Sequence, residues 1–349
     1  MAISSRARGV VQVTAGLAVS GLALWVAFRA VPLDALVESL QSANYWWLAA
    51  YPPLAVALNV IRGEIWRRLL SKRAPTAQAF WAYSIGFLVN NVMPFRMGEA
   101  ARVVALSTKC KIPVVEVATA AGLERLCDLA ALAIIVVMAL PFVTHAGGMA
   151  RTAWMSAGLV AAALAGLAAL VAARQHFDRL VTAICRVVLP RHAEVITARW
   201  HELMNGLAVI RNPSIAVPVI AGAATVWTLT IILQWTVLRA FQPSAGLIDA
   251  AVFVAVVSVG GAIPAAPGAI GTYQWVGQQA LTLPFPLLYP PPLALAAAVV
   301  SHAASYVFST LLGAAGVWYL GIPLAQIRRG AAATHQGQPD SVIFSQRSS

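Results

Sequence analysis

Long apolar segments recur along the whole chain, and the polar positions between them are gathered into short stretches. About twenty predominantly apolar residues suffice for an α-helix to cross the roughly 30 Å hydrocarbon core of a bilayer. The pattern predicts six full spans, at about residues 10–28, 46–62, 117–142, 154–173, 214–240 and 292–320. We expect the first span to be retained, because its apolar run is long for a signal peptide.

Two further apolar segments are interrupted by polar residues, glycine and proline. The first, at about 78–93, lies between a basic segment at 62–73 and another basic loop, and runs into NNVMPFRMGEAAR at 90–102. A full crossing would put these two basic loops on opposite sides, whereas Lys and Arg favour the cytoplasmic side. The second segment, 249–291, contains several Gly and Pro residues. Both patterns favour re-entrant hairpins, whose irregular backbone must be buried or line a cavity.

The order span, span, re-entrant hairpin, span then occurs twice, and the two copies enter from opposite sides. This order predicts an all-α polytopic membrane protein with about six full spans and two re-entrant hairpins arranged as inverted repeats, at about 1–145 and 150–325. The prediction rests on topology, since the halves show no sequence identity. We expect residues 1–325 to form the membrane domain, with cytoplasmic amphipathic helices at 174–212. Residues 326–349 are expected to form a disordered cytoplasmic tail, and both termini to be cytoplasmic.

Composition supports a bacterial inner-membrane location. Of the 349 residues, 60% are hydrophobic and only 10% are charged. The net charge of +12 is typical of Lys and Arg held in cytoplasmic loops against anionic lipid, and no nucleic-acid-binding motif is present. Cys110, Cys127 and Cys185 lack metal-ligand spacing, so we expect free thiols, no metal and no cofactor. Without a GxSxG, Walker or HExxH motif, the chain is not expected to be an enzyme.

The stretch 90–102 brings together the residues of a candidate anion site. Arg96, Glu99 and Arg102 are spaced by three and would share one helical face. In the functional interpretation Arg96 and Arg102 hold a phosphate, Glu99 orients them, and Asn90 and Asn91 bond the lipid head group. In the alternative this stretch is a solvated interfacial loop whose arginines face lipid phosphates.

A second cluster lies at the start of the span at 117–142. Burying ionisable groups at membrane depth costs free energy, so their presence there indicates a structural or functional role. Glu124, Arg125 and Asp128 could pair structurally, with Arg125 neutralised by these carboxylates or by Glu99. Alternatively a carboxylate, Glu124 or Asp128, could bind H⁺ or Na⁺ and couple it to transport. His302 is a further coupling candidate, although a lone histidine is more often a packed, hydrogen-bonded group.

The third cluster is PAAPGAIGTYQW at 264–275. Gly268 and Gly271 permit tight turns, and a half-helix beginning after Gly271 would present free N–H groups to an anion. Thr272, Tyr273 and Gln274 could add side-chain hydrogen bonds. The alternative is a glycine-rich kink between packed spans.

These three stretches resemble, in order, motifs of the lysylphosphatidylglycerol synthase transmembrane-domain family, also called flippase-like membrane proteins. NNVMPFRMGEAAR resembles N-x-x-x-P-x-R-x-G-E-x-x-R, GLERLCDLAAL is similar to E-R-x-x-D, and IPAAPGAIGTYQ is similar to P-x-x-P-G-G-x-G-x-x-E. The resemblance covers about residues 10–325. Ala269 replaces the second glycine of the usual pair, and Gln274 stands where the family often has Glu.

The resemblance implies a lipid-translocating module without tRNA-dependent lysine transfer, because the sequence lacks the soluble aminoacyl-transferase domain. The predicted function is a translocase of a polar or phosphate-bearing lipid, related to hopanoids or glycolipids, with a lean towards the hopanoid-associated branch. The alternatives are a membrane transferase acting on a lipid-linked substrate and a non-transporting scaffold of a lipid-synthesis complex. Expected partners are a membrane lipid substrate and anionic lipid at the cytoplasmic face, not nucleic acid. Homo-oligomerisation is left open.

Overall fold

The computed structural model of the chain describes residues 5–29, 31–93, 97–143, 212–261 and 265–323, with 158, 162, 178–183, 185 and 197. Within these residues all regular secondary structure is helical. The predicted tail 326–349 lies outside them, as do the predicted span 154–173 and the amphipathic segment 174–212 apart from the few positions just given.

The helices follow one another in a simple order. They are α1 (Ser5–Arg29), α2 (Leu33–Gln41), α3 (Tyr51–Leu69), α4 (Thr76–Val92), α5 (Gly98–Cys110), α6 (Val114–Val143), α7 (Pro213–Phe241), α8 (Leu247–Gly260), α9 (Thr272–Thr282) and α10 (Pro291–Leu320). Short 3₁₀ turns occupy Tyr45–Ala50 and Pro267–Ala269. Five of the predicted spans therefore correspond to α1, α3, α6, α7 and α10.

Length and composition alone make two of these helices, α7 and α10, capable of crossing a membrane. A third crossing is possible if Leu17–Arg29 and Leu33–Gln41, which meet at a sharp bend of 86°, count as one span. α6 is 30 residues long, but its charged residues interrupt the apolar run.

The end of the second predicted span was placed too early. α3 continues to Leu69, so Arg62 belongs to the helix and not to the basic loop after it. No proline interrupts this stretch, and Gly63 lets α4 approach closely, since a Cβ there would lie 2.8 Å from the Thr76 carbonyl oxygen.

α4 and α5 pack against each other as an antiparallel helical hairpin, here called hairpin 1 (residues 76–110). Near its open end the Cys110 thiol donates to Gln78 Oε1 at 2.7 Å. Near its tip the Gly98 N–H donates to Asn90 Oδ1 at 2.8 Å. A Cβ at position 98 would collide with the Gly86 carbonyl oxygen, so the close approach of the two helices requires glycine there.

α8 and α9 form a second antiparallel hairpin, here called hairpin 2 (residues 247–282). Close to its open end the Tyr289 hydroxyl donates to Asp249 Oδ2 at 3.0 Å. Closer to the tip, a Cβ at Gly260 would lie 2.6 Å from the Val276 side chain. The segment joining the two helices contains the glycine- and proline-rich stretch singled out in the sequence.

The two hairpins approach α10 from its opposite ends. Lys109 Nζ, at the open end of hairpin 1, donates to the carbonyl of Leu320 at 2.9 Å. Gln278 of hairpin 2 contacts the carbonyl of Pro291 at 3.4 Å. Because these contacts lie at the C-terminus and the N-terminus of α10, the open ends of the hairpins are separated by the length of that helix. At about 1.5 Å per residue this length is about 45 Å.

The hairpin tips meet beside the middle of α10. The Tyr306 hydroxyl donates to the Asn91 carbonyl of hairpin 1 at 3.2 Å, and His302 Nε2 lies 2.8 Å from the Gly268 carbonyl of hairpin 2. The tips also approach each other directly, since a Cβ at Gly268 would lie 3.4 Å from the Asn91 oxygen. Each hairpin therefore covers about half the depth of the molecule.

Other helices run through the full depth beside the hairpins. At its start, α6 pairs Glu116 with Arg73 beside the open end of hairpin 1. Further along, Ala139 of α6 packs against Val252 of α8. α7 likewise contributes Val219 to the core around hairpin 1 and Leu238 to the core around hairpin 2.

Candidate functional site

Six charged side chains from α3, α5 and α6 form one ion cluster, in which α5 of hairpin 1 meets the neighbouring helices α3 and α6. Its members are Arg62, Glu99, Arg102, Glu124, Arg125 and Asp128. Three of these residues are cations and three are anions, so the formal charge of the ion cluster is zero.

Glu124 lies at the centre of the ion cluster. Its Oε1 accepts from Arg62 Nη1 at 2.6 Å, while Oε2 lies 3.1 Å from Arg102 Nη1 and accepts from Trp66 Nε1 at 2.7 Å. Only 2% of this residue is exposed. Ion pairs and charge-assisted hydrogen bonds of this kind offset the desolvation of a buried carboxylate.

Asp128 connects the ion cluster to a fourth helix, α7. Its Oδ2 lies 3.1 Å from Arg62 Nη1 and 3.8 Å from Arg125 Nη1. Its Oδ1 accepts from Trp227 Nε1 of α7 at 3.0 Å. The two carboxylates of the α6 motif are thereby joined to α3 and α7.

Arg102 is used inside the ion cluster. It is 3% exposed and pairs with Glu124 and Glu99. Its guanidinium carbon lies 4.4 Å from the centroid of the Tyr83 ring, a favourable cation–π arrangement. Glu99 also pairs with the half-exposed Arg125. The sequence analysis assigned Glu99 and Arg102 to one candidate cluster and Glu124 and Arg125 to another. The structure joins the two clusters, and the pairing of Arg125 with Glu99 is the structural alternative considered above.

The predicted site residues at the tip of hairpin 1 hold that tip in place. Asn90 caps the start of α5 through its bond to the Gly98 N–H. Asn91 Nδ2 lies 2.9 Å from the hydroxyl oxygens of both Ser309 and Thr310 on α10. Arg96 lies outside the described residues.

At the tip of hairpin 2, α9 begins after Gly271 as predicted. Gly268 and Gly271 adopt φ of +70° and +94°, a region that favours glycine. The Gly271 N–H donates to Gln274 Oε1 at 2.7 Å, and the Thr272 hydroxyl donates to the Ala269 carbonyl at 3.1 Å. These bonds are made within the tip.

His302 uses both of its ring nitrogens between hairpin 2 and α10. Nδ1 lies 2.8 Å from Gln274 Nε2, and Nε2 lies 2.8 Å from the Gly268 carbonyl. Because the amide nitrogen can only donate, Nδ1 accepts and Nε2–H donates to the carbonyl. The ring also stacks on Tyr273 at a centroid distance of 4.5 Å. These contacts match the packed, hydrogen-bonded alternative.

A cavity of about 310 Å³ lies beside the hairpin tips; we call it the central cavity. It is lined by residues of α3, α4, α7, α8, α9 and α10. Its polar lining residues on α3 and α7 are Tyr51, Asn59, Arg62, Thr230 and Gln234. On hairpin 2 and α10 they are Ser258, Tyr273, Ser301, Ser305 and Ser309. Arg62 belongs to both the ion cluster and the central cavity.

A short chain of hydrogen bonds runs along one wall of the central cavity. Ser301 Oγ donates to Gln234 Oε1 at 2.8 Å and lies 3.0 Å from the Tyr273 hydroxyl. Since Ser301 gives its only proton to Gln234, Tyr273 donates to Ser301. Gln234 Nε2 has no hydrogen-bond partner among the described residues.

Sequence reasoning missed Arg62 and Gln234. A signal for Arg62 exists, because Asn59, Arg62 and Trp66 share one face of α3 at positions i, i+3 and i+7. Gln234 is a single amide in the apolar α7, and nothing in the sequence indicates a partner or a role for it.

Comparison with known proteins places these features within one family match. Residues 13–313 match the family described as lysylphosphatidylglycerol synthase TM region. The match spans both hairpins, the ion cluster and the central cavity. Neither a curated protein nor a solved structure matches the chain.

Proposed function

The chain belongs to the lysylphosphatidylglycerol synthase TM region family, and on that premise we propose that it is a lipid translocase. It moves the polar head group of a membrane lipid across the bacterial inner membrane. One observation carries the proposal: the tips of two opposed hairpins meet halfway along α10, beside a polar cavity of about 310 Å³. The membrane setting and a lipid-related role follow from the family, while translocation is the proposed step.

The depth of the tips supports re-entrant hairpins. α10 is about 45 Å long at about 1.5 Å per residue, enough to cross the hydrocarbon core and reach both interfaces. The middle of α10 then lies near the bilayer midplane, and each hairpin enters from one face and returns to it. The segments before and after the middle of the chain would thus form inverted repeats around a midplane site, an arrangement found in many transporters.

The distribution of cations supports the proposed orientation. Lys72, Arg73, Lys109 and Lys111 surround the open end of hairpin 1, and because Lys and Arg favour the cytoplasmic side, we propose that this end faces the cytoplasm. The end of α10 at Leu320 contacts Lys109 and lies on the same side. The end of α1 packs near hairpin 2 through Ala27 and Val31, so α1 starts on the side of hairpin 1. The proposed orientation therefore has both termini in the cytoplasm.

The head group is proposed to bind in the central cavity while it crosses the membrane. A head group in the hydrocarbon core loses its bonds to water, and this loss is costly unless other hydrogen bonds replace them. Asn59, Thr230 and the serines of α10 supply such bonds at half depth, while the acyl chains stay in lipid. Rocking of the two halves around the hairpin tips would open the cavity to one face and then to the other.

The contacts of the charged residues favour a structural role for Glu124 and Asp128 over ion coupling, because each carboxylate is bonded to arginine and to tryptophan. The phosphate site built on Arg96 and Arg102 stays a prediction, and Arg102 would have to leave its partners to serve it. The link to the hopanoid-associated branch also stays a prediction.

Translocation is favoured over a transferase activity by the state of the carboxylates. A transferase would need a carboxylate base, and the carboxylates of the sequence motifs, Glu99, Glu124 and Asp128, are each ion-paired with arginine. A general base must be able to accept a proton from the substrate. The arrangement is better suited to stabilising helix packing than to chemistry.

The proposal is tested with purified protein in vesicles. Acyl-labelled fluorescent lipids with glycosyl, phosphoglycerol and phosphoethanolamine head groups are offered one at a time. An impermeant reductant then bleaches the label in the outer leaflet. We expect at least one lipid to move faster than in protein-free vesicles, and Thr230→Trp, which fills the central cavity, to abolish the gain.

The matched control is Thr228→Trp. Thr228 lies on the same helix and makes the same type of bond to the carbonyl four residues earlier, but it is exposed at the helix surface. This variant is expected to translocate normally. Equal loss in both variants, or no acceleration of any lipid by the wild type, would contradict the proposal.

A further inference from the structure

The described residues that line the central cavity are uncharged apart from one. Among them, Arg62 is the single ionisable group near neutral pH, and the other polar members are hydroxyls and side-chain amides. The balance of charge around Arg62 therefore decides which head groups the cavity can hold.

Arg62 is already neutralised. Its Nη1 lies 2.6 Å from Glu124 Oε1 and 3.1 Å from Asp128 Oδ2. The second cation near Glu124, Arg102, is shared with Glu99, and the ion cluster as a whole is neutral. An anionic head group would bring a charge into a cavity where no described residue offers a free counter-charge. Burial of an unpaired charge is much more costly than burial of a hydrogen-bonded neutral group.

The remaining lining matches hydroxyl groups. Serine and threonine hydroxyls both donate and accept, as does the side-chain amide of glutamine, so they can pair with either end of a ligand O–H. Gln234 is 4% exposed, and its Nε2 has no partner among the described residues although its Oε1 is bonded to Ser301. Buried polar groups normally find a partner. The bond from Ser301 fixes the orientation of the amide and leaves its N–H groups as donors for a ligand.

We propose that the central cavity selects lipids with an uncharged, hydroxyl-rich head group, of the sugar or polyol class, over lipids whose head group carries an anionic phosphate. Gln234 donates to an oxygen of that head group, and Thr230 and the α10 serines bond its hydroxyls. A volume of about 310 Å³ is at the lower end of the range for small-molecule sites, about 300–1,000 Å³. It suits a head group and excludes the acyl chains.

The proposed selectivity concerns binding, and only its effect on transport rests on the proposed function. The first test therefore measures binding. The full chain in detergent is titrated with two lipids that share their acyl chains, glucosyl diacylglycerol and phosphatidylglycerol, and bound lipid is counted by native mass spectrometry. Both head groups carry hydroxyls, and the phosphate charge distinguishes them. We expect the glucosyl lipid to bind at least about tenfold more tightly. Equal affinity, or preference for phosphatidylglycerol, would overturn the inference.

Variants locate the preference in the cavity. Gln234→Leu removes the free donor and should weaken binding of the glucosyl lipid about tenfold, with little effect on phosphatidylglycerol. Thr230→Val, a smaller change, should act in the same direction. Thr228→Val on the exposed face should change neither affinity. If Gln234→Leu and Thr230→Val both leave the preference intact, the selective site lies elsewhere and the inference is wrong.

Transport of the same two lipids separates the inference from the proposed function. Faster movement of the glucosyl lipid supports both. Faster movement of phosphatidylglycerol supports translocation and overturns the selectivity. Selective binding without movement of either lipid supports the selectivity and counts against translocation.

Discussion

Glu124 illustrates at the scale of single residues why charges persist in this apolar chain. Its two oxygens meet Arg62, Arg102 and the indole N–H of Trp66. Each partner comes from a helix other than α6, so the carboxylate links α3, α5 and α6. Breaking a buried ion pair by removing one partner is strongly destabilising, because the charge left behind stays buried.

Glu124→Gln is therefore expected to destabilise the protein by about 3–5 kcal/mol, measured by denaturant titration in detergent micelles. The amide keeps the shape of the side chain but leaves Arg62 and Arg102 with too little negative charge. Adding Arg62→Met removes one of these cations and should recover part of the loss. Glu64→Gln serves as the control, because Glu64 pairs with Arg67 and Arg68 in more exposed positions and should cost about 0–1 kcal/mol. Equal losses for Glu124→Gln and Glu64→Gln would contradict the role given to the ion cluster.

At the scale of helices, hairpin 1 depends on close contact between α4 and α5. Gly86 and Gly98 face each other, and Asn90 caps α5 from the opposite helix. α4 also packs closely on α10, where a Cβ at Gly313 would lie 2.6 Å from the Ser84 carbonyl oxygen. Small residues at such contacts let helix backbones approach, which is a main source of packing energy in membranes.

Gly98→Ala tests this contact. The added methyl group collides with backbone and side-chain atoms of α4, so we expect a loss of about 1–3 kcal/mol from overpacking and a lower melting temperature in detergent. Gly122→Ala in α6 meets nothing within 4 Å and should be neutral or stabilising by up to about 1 kcal/mol, because Ala favours the helix. A melting temperature unchanged by Gly98→Ala would show that the hairpin does not need this close approach.

At the scale of the whole molecule, the opposed hairpins determine which loops share a side. The two ends of hairpin 1 and the end of α10 lie on the same side of the molecule. They are linked there by the Arg73–Glu116 pair and by the bond from Lys109 to the Leu320 carbonyl. The bond from Gln242 to the Leu288 carbonyl gathers the two ends of hairpin 2 at the other side. The central cavity lies between these two groups of contacts.

Labelling with a membrane-impermeant thiol reagent tests this arrangement. In a chain whose native cysteines are replaced, Lys72→Cys and Lys111→Cys should react only from the cytoplasmic side, and Ser244→Cys and Leu287→Cys only from the opposite side. Intact cells and inverted vesicles give the two accessibilities. Labelling of positions 72 and 111 from different sides would mean that hairpin 1 crosses the membrane, and the proposed midplane site would then be untenable.

The sequence by itself determined which segments are apolar enough to be long helices, where two of them are broken, and that Glu124 and Asp128 require partners. Hydropathy, helix-breaking residues and the side preference of Lys and Arg are local properties, so they can be determined without a fold. They predicted α1, α6, α7 and α10 closely, the start of α9 after Gly271, and the two broken segments. The same local information placed the end of α3 too early, because its basic C-terminal residues were assigned to a loop.

Only the tertiary structure decided which residues meet. Arg62 and Glu124 are 62 positions apart, and Ser301 and Gln234 are 67 apart, so no spacing rule links them. The tertiary structure also assigned Asn91 and Gln274 to the packing of the hairpin tips, and it created a cavity from six helices that are each mainly apolar. These outcomes depend on helix packing in three dimensions, because a polar side chain in an apolar helix can be satisfied only by whichever neighbour packs against it.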